Sequence, residues 1–396
     1  MKERERMLSI LARTPAMTAD HHNFYHGRLK HYPPQSDPRV TQERREPGRG
    51  SVSPWLSQSE YQDRAAVLQD KLHYVARLLS VSRRTVLLTG SGLRTSSRPG
   101  TVDTASWPSP AHSDLASLVE RRLISSWVTL CPDGLAQKAG CSQEFLLEVH
   151  GSWYDPANPV VRGKGRLRGD LYSRLLREGE EADLVVVLGA QVTAGTVTEV
   201  LLQSAVQRSL AGLSLGCVLI SPRQTELDGE ATLRVFSSAQ VVTRLLLQTL
   251  SLPASHGLPA GLQCGPAHSG RVRYDREGLR SSTKTTVLNL SPGQRVRLSP
   301  GHNCQGSAQL KLRHILRPEP ELEKSGRVLS AVQRQRRVEG QGRVVRFSPL
   351  QAAWELEVEG VKMLLGTWWM NAAINCSVDF LPIVNIDAKE ESVGPE

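Results

Sequence analysis

The alternation of short apolar runs with amphipathic helices constrains the fold of this 396-residue chain more than any other feature. Apolar runs rich in Val, Leu and Ile lie at 85–89, 127–130, 182–189 and 216–221. Helical periodicity lies between or beside them, at about 60–80, 115–122, 171–181, 197–209 and 239–250. Strands that are apolar on both faces and alternate with helices are typical of a parallel sheet covered on both sides. The sequence therefore predicts a doubly wound α/β domain whose ligand crevice lies at the carboxyl ends of the strands.

Changes in composition divide the chain into further segments. Residues 1–56 mix prolines, charges and polar residues without sustained periodicity, so we expect a disordered or extended segment there. The α/β domain is assigned to 57–252, and a linker rich in Pro, Gly, His and Ser to 253–270. Residues 271–388 favour strands, which predicts a β-rich C-terminal domain, and 389–396 resemble a frayed acidic end.

Two tryptophan-containing patterns stand out in the C-terminal region. Trp354, Leu356 and Val358 alternate with glutamates, which predicts a strand with one solvated face. Trp368 and Trp369 are expected either in the core or at a contact with a partner.

The charge balance is basic, because Lys and Arg outnumber Asp and Glu by 49 to 39 and the formal net charge is +10. Such a balance favours acidic partners. The densest basic cluster comprises Arg334, Arg336, Arg337, Arg343 and Arg346. It predicts a contact with nucleic acid or chromatin, a nuclear address, or simply a solvated loop.

Hydropathy and cysteine usage favour an intracellular protein of the nucleus or cytoplasm. No segment approaches the roughly 20 uninterrupted apolar residues of a membrane span, so no membrane contact is expected. The charged N-terminus leads into no long apolar stretch, which argues against a secretory signal. Six cysteines are scattered singly, which predicts reduced thiols. Without four closely spaced Cys or His ligands, no zinc or other metal site is predicted.

A glycine turn after the first apolar run is a candidate nucleotide site. Gly90, Ser91 and Gly92 directly follow the run at 85–89. Glycines there let backbone N–H groups approach a phosphate without interference from a Cβ atom. Because Gly-x-Gly also occurs in ordinary turns, this motif alone leaves both explanations open.

A series of motifs, in the same order along the chain, resembles the sirtuins, the NAD-dependent protein deacylases. Gly90 and Gly92 match that family's Gly-Ala-Gly-Ile-Ser segment. Asp133, followed by Gly and Leu, fits the family's Thr-Gln-Asn-x-Asp-Gly-Leu-His loop, and His150 with its following glycine fits the catalytic histidine.

Three weaker matches extend this resemblance over about residues 70–252. Ala111 and His112 are similar to an Ala-His element that precedes a helix in the family. Residues 188–192 are similar to Leu-Gly-Thr-Ser-Leu, and Ile220 with Ser221 to the start of Ile-Asn-Leu.

The resemblance implies an NAD site with a catalytic histidine. His150 would act as a general base on a ribose hydroxyl, a task that suits an imidazole with its ordinary pKa of about 6.5. The cofactor would be held by Gly90, Ser91, Gly92, Asp133, Gly189, Ala190, Gln191 and Ser221. Considered without the family, His150 is a partly buried histidine at a strand end and Asp133 is a turn residue.

The chain departs from the family at positions that carry chemistry. Leu130, Cys131 and Ala136 replace the loop's glutamine, asparagine and histidine, and Arg94 replaces the serine after the glycine turn. The family's Pro-Asp-Phe-Arg element is absent from 97–103. A thiol cannot reproduce the hydrogen bonds of an asparagine amide, and losing such a contact typically costs about 2–4 kcal/mol in the transition state.

Two expectations follow from the cysteines and from the segment after His150. No Lys, Arg or His adjoins Cys131 in sequence, so we expect a passive small residue there rather than a reactive thiol. The two Cys-x-x-Cys pairs of the family's zinc module are absent after His150. We therefore expect a small lobe that is shortened or held by packing of Trp153 and Tyr154.

These features lead to one principal hypothesis and two alternatives. The first is a sirtuin-like protein that binds NAD or ADP-ribose and acts as a scaffold, with protein-lysine deacylation weak or lost. The second is an active NAD-dependent deacylase or ADP-ribosyltransferase that uses His150 on an acylated protein. The third is a chromatin or nucleic-acid adaptor that uses the basic C-terminal loop.

Overall fold

The computed structural model describes residues 2–21, 23–43, 59–94, 106–160, 168–192, 197–254, 267–299 and 341–392. Its helices are α1 (Lys2–Arg13), α2 (Ala65–Val81), α3 (Pro110–Glu120), α4 (Leu135–Lys138), α5 (Gly169–Glu181), α6 (Val197–Leu210), α7 (Ala239–Thr249) and α8 (Trp368–Ile374). Its strands are β1 (Arg39–Gln42), β2 (Glu60–Gln62), β3 (Thr85–Thr89), β4 (Ser126–Thr129), β5 (Leu146–Glu148), β6 (Leu184–Leu188), β7 (Gly216–Ile220), β8 (Leu233–Val235), β9 (Ser269–Val272), β10 (Lys284–Asn289), β11 (Arg295–Leu298), β12 (Gln341–Ser348), β13 (Ala353–Val358), β14 (Val361–Gly366), β15 (Ile383–Asn385) and β16 (Glu391–Ser392). No helix in these ranges is long and apolar enough to cross a membrane.

A six-stranded parallel sheet forms the centre of the α/β part, in the order β5-β4-β3-β6-β7-β8. The chain runs outward from β3 to β5, returns to the centre, and then runs from β6 to β8 on the other side. This is the strand order of dinucleotide-binding folds, in which the ligand crevice lies where the order reverses. The predicted doubly wound α/β class is therefore confirmed, and the reversal lies between β3 and β6.

Helices cover both faces of this sheet. Successive side chains of each strand point to opposite faces, so they enter two different apolar cores. In β3, Leu87 belongs to one core with α2, α3 and α7, whereas Val86 and Leu88 belong to the other with α5 and α6. Every residue of β3, β6 and β7 is buried. Burial on both faces explains why these strands are recognisable as continuous apolar runs.

The N-terminal segment differs from the predicted organisation. Helix α1 buries Met7 and Leu11, about one helical turn apart, in the core that contains α2. Arg4 of this helix pairs with Asp183, with Nη2 lying 2.7 Å from Oδ1. The expectation of a disordered or extended segment is therefore wrong for α1. Tertiary packing stabilises a helix whose charged sequence shows few apolar positions.

Residues 23–29 cover the outer edge of the parallel sheet. The N–H groups of Arg28 and Leu29 donate to the carbonyls of Ala231 and Thr232 at 3.0 and 2.9 Å. An uncovered edge strand presents a row of unpaired backbone groups and invites association with other chains. The N-terminal segment thus protects β8, an edge strand that was not predicted from the sequence.

The C-terminal region is β-rich, as predicted, and contains two antiparallel sheets, ordered β16-β10-β9 and β14-β13-β12-β11-β15. Trp354 of β13 is fully buried, and Leu356 and Val358 are buried on the same face. Trp368 and Trp369 of α8 belong to the same core. The prediction of a frayed acidic end is wrong for Glu391–Ser392, because these residues form β16 and pair with β10.

Part of the basic cluster lies outside the described residues, namely Arg334, Arg336 and Arg337. The described part is neutralised by acidic neighbours. Arg343 and Arg346 on β12 pair with Glu357 and Glu355 on β13, at 3.0 and 2.8 Å respectively.

One loop of the α/β part is built into the C-terminal core. The ring centroids of Tyr154 and Trp368 lie 5.3 Å apart. The Tyr154 carbonyl accepts hydrogen bonds from the Gly366 N–H at 3.1 Å and from Trp369 Nε1 at 3.2 Å. Tyr154 is fully buried, so aromatic packing holds the segment that follows His150.

The close packing of the N-terminal segment on β8 predicts that replacing Gly27 with alanine lowers the free energy of unfolding more than the same change at an open glycine. Gly27 has a φ of +93°, and a Cβ atom there would lie 2.7 Å from the Cα of Leu233. Gly293 has a φ of +87° with open space around it. We expect Gly293→Ala to lose about 1 kcal/mol through backbone conformation alone. We expect Gly27→Ala to lose a further ~1–3 kcal/mol through overpacking.

The two variants are compared by urea unfolding followed by circular dichroism. Equal losses of unfolding free energy in Gly27→Ala and Gly293→Ala would contradict the close packing of residues 23–29 on β8.

Candidate functional site

The carboxyl ends of β3 and β6 meet where the strand order reverses, and glycines bring the following loops into contact. The Gly92 N–H donates to the Gly189 carbonyl at 2.8 Å. A Cβ atom on Gly92 would lie 2.7 Å from the Gly189 oxygen, and one on Gly90 would lie 2.8 Å from the Cα of Ala190. Four of the predicted cofactor residues are thus brought together, and their small size permits backbone to pack against backbone.

The glycine turn uses its N–H groups within the protein. Ser91–Leu93 forms a 3₁₀ turn, in which the N–H of Leu93 donates to the Gly90 carbonyl and that of Arg94 to the Ser91 carbonyl, both at 3.1 Å. The Gly92 N–H is already bonded to Gly189. A phosphate contact by this turn stays a prediction, and in this conformation the glycines serve the packing of two loops.

A polar cavity of about 10 Å³ lies beside the turn. That volume holds about one water molecule. The end of β3, the loop after β4, and helices α3 and α4 form its walls. Its polar side chains are Thr89, Arg94, His112, Thr129, Cys131, Asp133 and Gln137.

Arg94 lines this cavity and binds Asp133, the acidic residue that was predicted to hold the cofactor. Its Nε and Nη2 atoms each lie 2.7 Å from Oδ2 of Asp133. Oδ1 of Asp133 accepts the Leu135 N–H at 3.2 Å, at the start of α4. Burial by itself lowers the pKa of Arg94, but the pairing with Asp133 and the contact with Cys131 raise it, so the guanidinium stays charged.

His112 lines the same cavity, although it is not among the site residues predicted from the sequence. Its Nδ1 accepts the Ser109 N–H at 3.2 Å, which places the proton of the neutral ring on Nε2. Burial lowers the pKa of His112 to about 4. The Ala-His match ahead of α3 was the sequence signal that pointed to this position.

His150 follows β5 and is half-buried. Its Nδ1 lies 3.0 Å from the Leu130 carbonyl, which can only accept, so Nδ1 carries the proton of the neutral ring. Burial lowers the pKa of His150, although the hydrogen bond to Leu130 opposes the shift. Nε2 is therefore unprotonated and can act as a base. His150 does not line the cavity of Arg94 and Asp133, although Cys131, which follows its partner Leu130, does.

The remaining predicted cofactor residues lie further along the edge of the sheet. Gln191 is exposed beyond β6. Ser221 follows β7, and its Oγ accepts the Arg223 N–H at 3.1 Å. Neither side chain lines the cavity. Within the described ranges, no group of three His, Cys, Asp or Glu side chains is arranged to hold a metal ion.

Among the deeply buried side chains that have an oxygen atom without a hydrogen-bond partner, two lie at or near the cavity. They are Gln137, which lines the cavity, and Glu148 at the end of β5. Gln137 is 5% exposed and Glu148 is 3% exposed. Burial raises the pKa of the Glu148 carboxyl to about 8, although contacts with Ser152 and Gln137 oppose the shift. Glu148 is therefore mostly protonated at neutral pH.

The raised pKa of Glu148 predicts a loss of stability between about pH 4.5, the ordinary value, and about pH 8. In that window the folded protein keeps the proton while the unfolded chain has lost it, so stability falls by up to about 1.4 kcal/mol per pH unit. We expect Glu148→Gln to flatten this decline.

The measurement is the thermal midpoint of each protein at pH 5 and pH 8. Glu144→Gln is the matched control, because Glu144 lies in the same segment but is exposed. The low pKa of His112 acts in the opposite direction but is common to all three proteins, so it cancels. An equal decline in wild type and Glu148→Gln would contradict a buried, protonated Glu148.

No family model and no curated protein sequence matches the chain. Solved sirtuin structures are similar to it, each over 46% of its length. One is Sir2Af2 bound to a myristoylated histone peptide, with 19% identity, 97% of that chain covered and a TM-score of 0.39. Another is Sir2 with the inhibitor EX-527, 2'-O-acetyl-ADP-ribose and a deacetylated p53 peptide, with 22% identity, 99% covered and a TM-score of 0.39. A third, described under the structural basis of sirtuin substrate affinity, has 21% identity, 99% covered and a TM-score of 0.40. The chain is thus similar to sirtuins of known structure, and this similarity concerns the fold alone.

Proposed function

We propose that this chain binds ADP-ribose, free or as part of NAD, in the crevice between β3 and β6, and that it acts mainly as a binding or scaffold protein. Protein-lysine deacylation is weak or lost. The observation that carries this proposal is the Arg94–Asp133 ion pair, in which the protein's own guanidinium occupies the carboxylate that would hold the cofactor.

The position and chemistry of the crevice support nucleotide binding. Parallel sheets of this strand order bind ligands where the order reverses, and here Gly90 and Gly189 lie at that point. Asp133 lies beside it, on the loop after the neighbouring strand β4. The sequence motifs that resemble those of the sirtuins converge on the same edge. Asp133 is 7% exposed and offers carboxylate oxygens that suit the hydroxyl groups of a ribose.

The space at this edge explains why activity is expected to be weak. The cavity of about 10 Å³ beside the glycine turn is far smaller than a nucleotide, and Arg94 and Asp133 are among the side chains that line it. Nucleotide binding in this proposal therefore requires Arg94 to leave Asp133. A hydrogen bond to a charged group contributes about 1.5–3 kcal/mol, so breaking the pair weakens binding on the order of 10- to 150-fold. The thiol of Cys131 also stands where the family's asparagine amide would contact the reacting group.

The state of His150 favours one alternative, an active deacylase or ADP-ribosyltransferase that acts on an acylated protein. Nδ1 is held as a donor by the Leu130 carbonyl, which leaves Nε2 ready to accept a proton. Nε2 of His150 can act as the general base only if a ribose hydroxyl of the bound cofactor reaches it. The nucleic-acid or chromatin adaptor remains a prediction that rests on Arg334, Arg336 and Arg337.

Replacement of Arg94 tests whether the ion pair closes the site. We expect Arg94→Ser, which introduces the residue that the family has at this position, to bind ADP-ribose at least about tenfold more tightly than wild type in calorimetry, since no pair has to be broken. Arg346→Ser is the control, because Arg346 forms an exposed ion pair on β12. Unchanged or weaker binding by Arg94→Ser would contradict the closure, and no binding of NAD or ADP-ribose by either protein would remove the nucleotide-binding function.

A nicotinamide-release assay with acylated peptides distinguishes the scaffold from the active enzyme. We expect little or no release from wild type, and no further change in His150→Ala. Clear release that disappears in His150→Ala would establish the alternative.

A further inference from the structure

The loop of Asp133, which runs into α4, is joined at both ends to the segment that follows β5. Before Asp133, the Pro132 carbonyl accepts the Trp153 N–H at 3.0 Å. After it, Nζ of Lys138 in α4 donates to the Tyr154 hydroxyl at 2.9 Å. The two bonds involve neighbouring residues of one segment, so this segment holds the loop at two points.

Between these points, the ring of Tyr154 packs against the turn that places Asp133. Gly134 precedes α4 and has a φ of +65°. A Cβ atom on Gly134 would lie 2.7 Å from Cδ2 of the Tyr154 ring. The following N–H group, that of Leu135, donates to Oδ1 of Asp133 at 3.2 Å. The ring therefore supports the backbone turn that orients the Asp133 carboxylate.

Tyr154 is itself fixed by the C-terminal region. It is fully buried, and its carbonyl accepts the Gly366 N–H at 3.1 Å and Nε1 of Trp369 at 3.2 Å. Its ring centroid lies 5.3 Å from that of Trp368. All three of these partners belong to β14 or α8. The C-terminal region thus determines where Tyr154 lies.

We infer that Tyr154 is a positioning residue of the candidate site, through which the C-terminal region holds Asp133 in place for the nucleotide. This role rests on the proposed function, because it concerns the binding of ADP-ribose. A binding group contributes most when the residues packed behind it keep it in the productive geometry. The β-rich region is therefore part of the support of the site, although none of its described side chains lines the cavity.

Hydrogen–deuterium exchange of the full-length protein without ligand measures how firmly the loop is held. The amides to follow are those of Leu135 and Lys138, which donate to Oδ1 of Asp133 and to the Gly134 carbonyl at 3.2 and 3.0 Å. We expect Tyr154→Leu to raise their exchange rates at least about tenfold, because local opening follows the loss of packing. Tyr154→Phe keeps the ring and is expected to stay within about threefold of wild type.

The matched control is Tyr274→Leu. Tyr274 is also fully buried in the same core, but its hydroxyl donates to the Val378 carbonyl at 2.6 Å. This change creates a similar void in the core and lowers the free energy of unfolding, but it leaves the contacts of the loop of Asp133 in place. Equal exchange of this loop in Tyr154→Leu and Tyr274→Leu would overturn the inference.

Gly134→Ala tests the same contact if Tyr154→Leu does not fold. The added methyl group displaces the turn from the ring, so we expect faster exchange of the Leu135 amide. Gly293→Ala is its control, because Gly293 also has a positive φ but has open space around it. Exchange of the Leu135 amide at the same rate in these two variants would likewise overturn the inference.

Calorimetry with ADP-ribose tests the role of Tyr154 in binding. The comparison uses the Arg94→Ser background, because a displaced Asp133 would also loosen the Arg94 pair and so obscure the effect. There we expect Tyr154→Leu to bind ADP-ribose at least about tenfold more weakly, and Tyr154→Phe to restore binding. Unchanged binding in Tyr154→Leu would overturn the inference. No binding by Arg94→Ser itself would overturn the proposed function and this role with it, whereas the exchange comparison, which uses no ligand, decides the positioning of Asp133 separately.

Discussion

The backbone contact between Gly92 and Gly189 is the interaction on which the rest of the site depends. It joins the loops that follow β3 and β6, where the strand order reverses, and a side chain on either residue would push these loops apart. The same turn fixes the starting point of the Arg94 side chain, which then reaches Asp133 on the loop after β4. The glycines that resemble a phosphate-binding motif are therefore first of all a means of bringing two loops together.

Charges inside this protein are compensated locally, and the pairs fix the positions of the loops. The Arg94–Asp133 pair has two counterparts near the N-terminal segment, Arg234–Asp228 at 2.7 Å and Lys71–Asp63 at 2.8 Å, both fully buried. Removing one partner of a buried pair leaves an uncompensated charge and is strongly destabilising. The positive charge of Arg94 and the negative charge of Asp133 likewise compensate each other in the candidate crevice.

Much of the α/β fold could be predicted because β3, β6 and β7 are apolar on both faces and lie between amphipathic helices. Helix α1 and strand β8 could not, since α1 depends on contacts with distant residues and β8 is only three residues long. Within the site, the residue types of Asp133 and His150 could be identified from motifs. The contacts of Arg94 with Asp133 and Cys131 could not, because they join loops that are far apart in sequence.

Tyr154 joins the loop of Asp133 to the aromatic core of the C-terminal region. A Cβ atom on Gly134 would lie 2.7 Å from the Tyr154 ring and 3.0 Å from the Trp368 ring, so the loop of Asp133 is wedged against the aromatic core of the C-terminal sheets. The β-rich region therefore supports the loop that carries Asp133, and removing this region would leave one side of that loop without its packing partner.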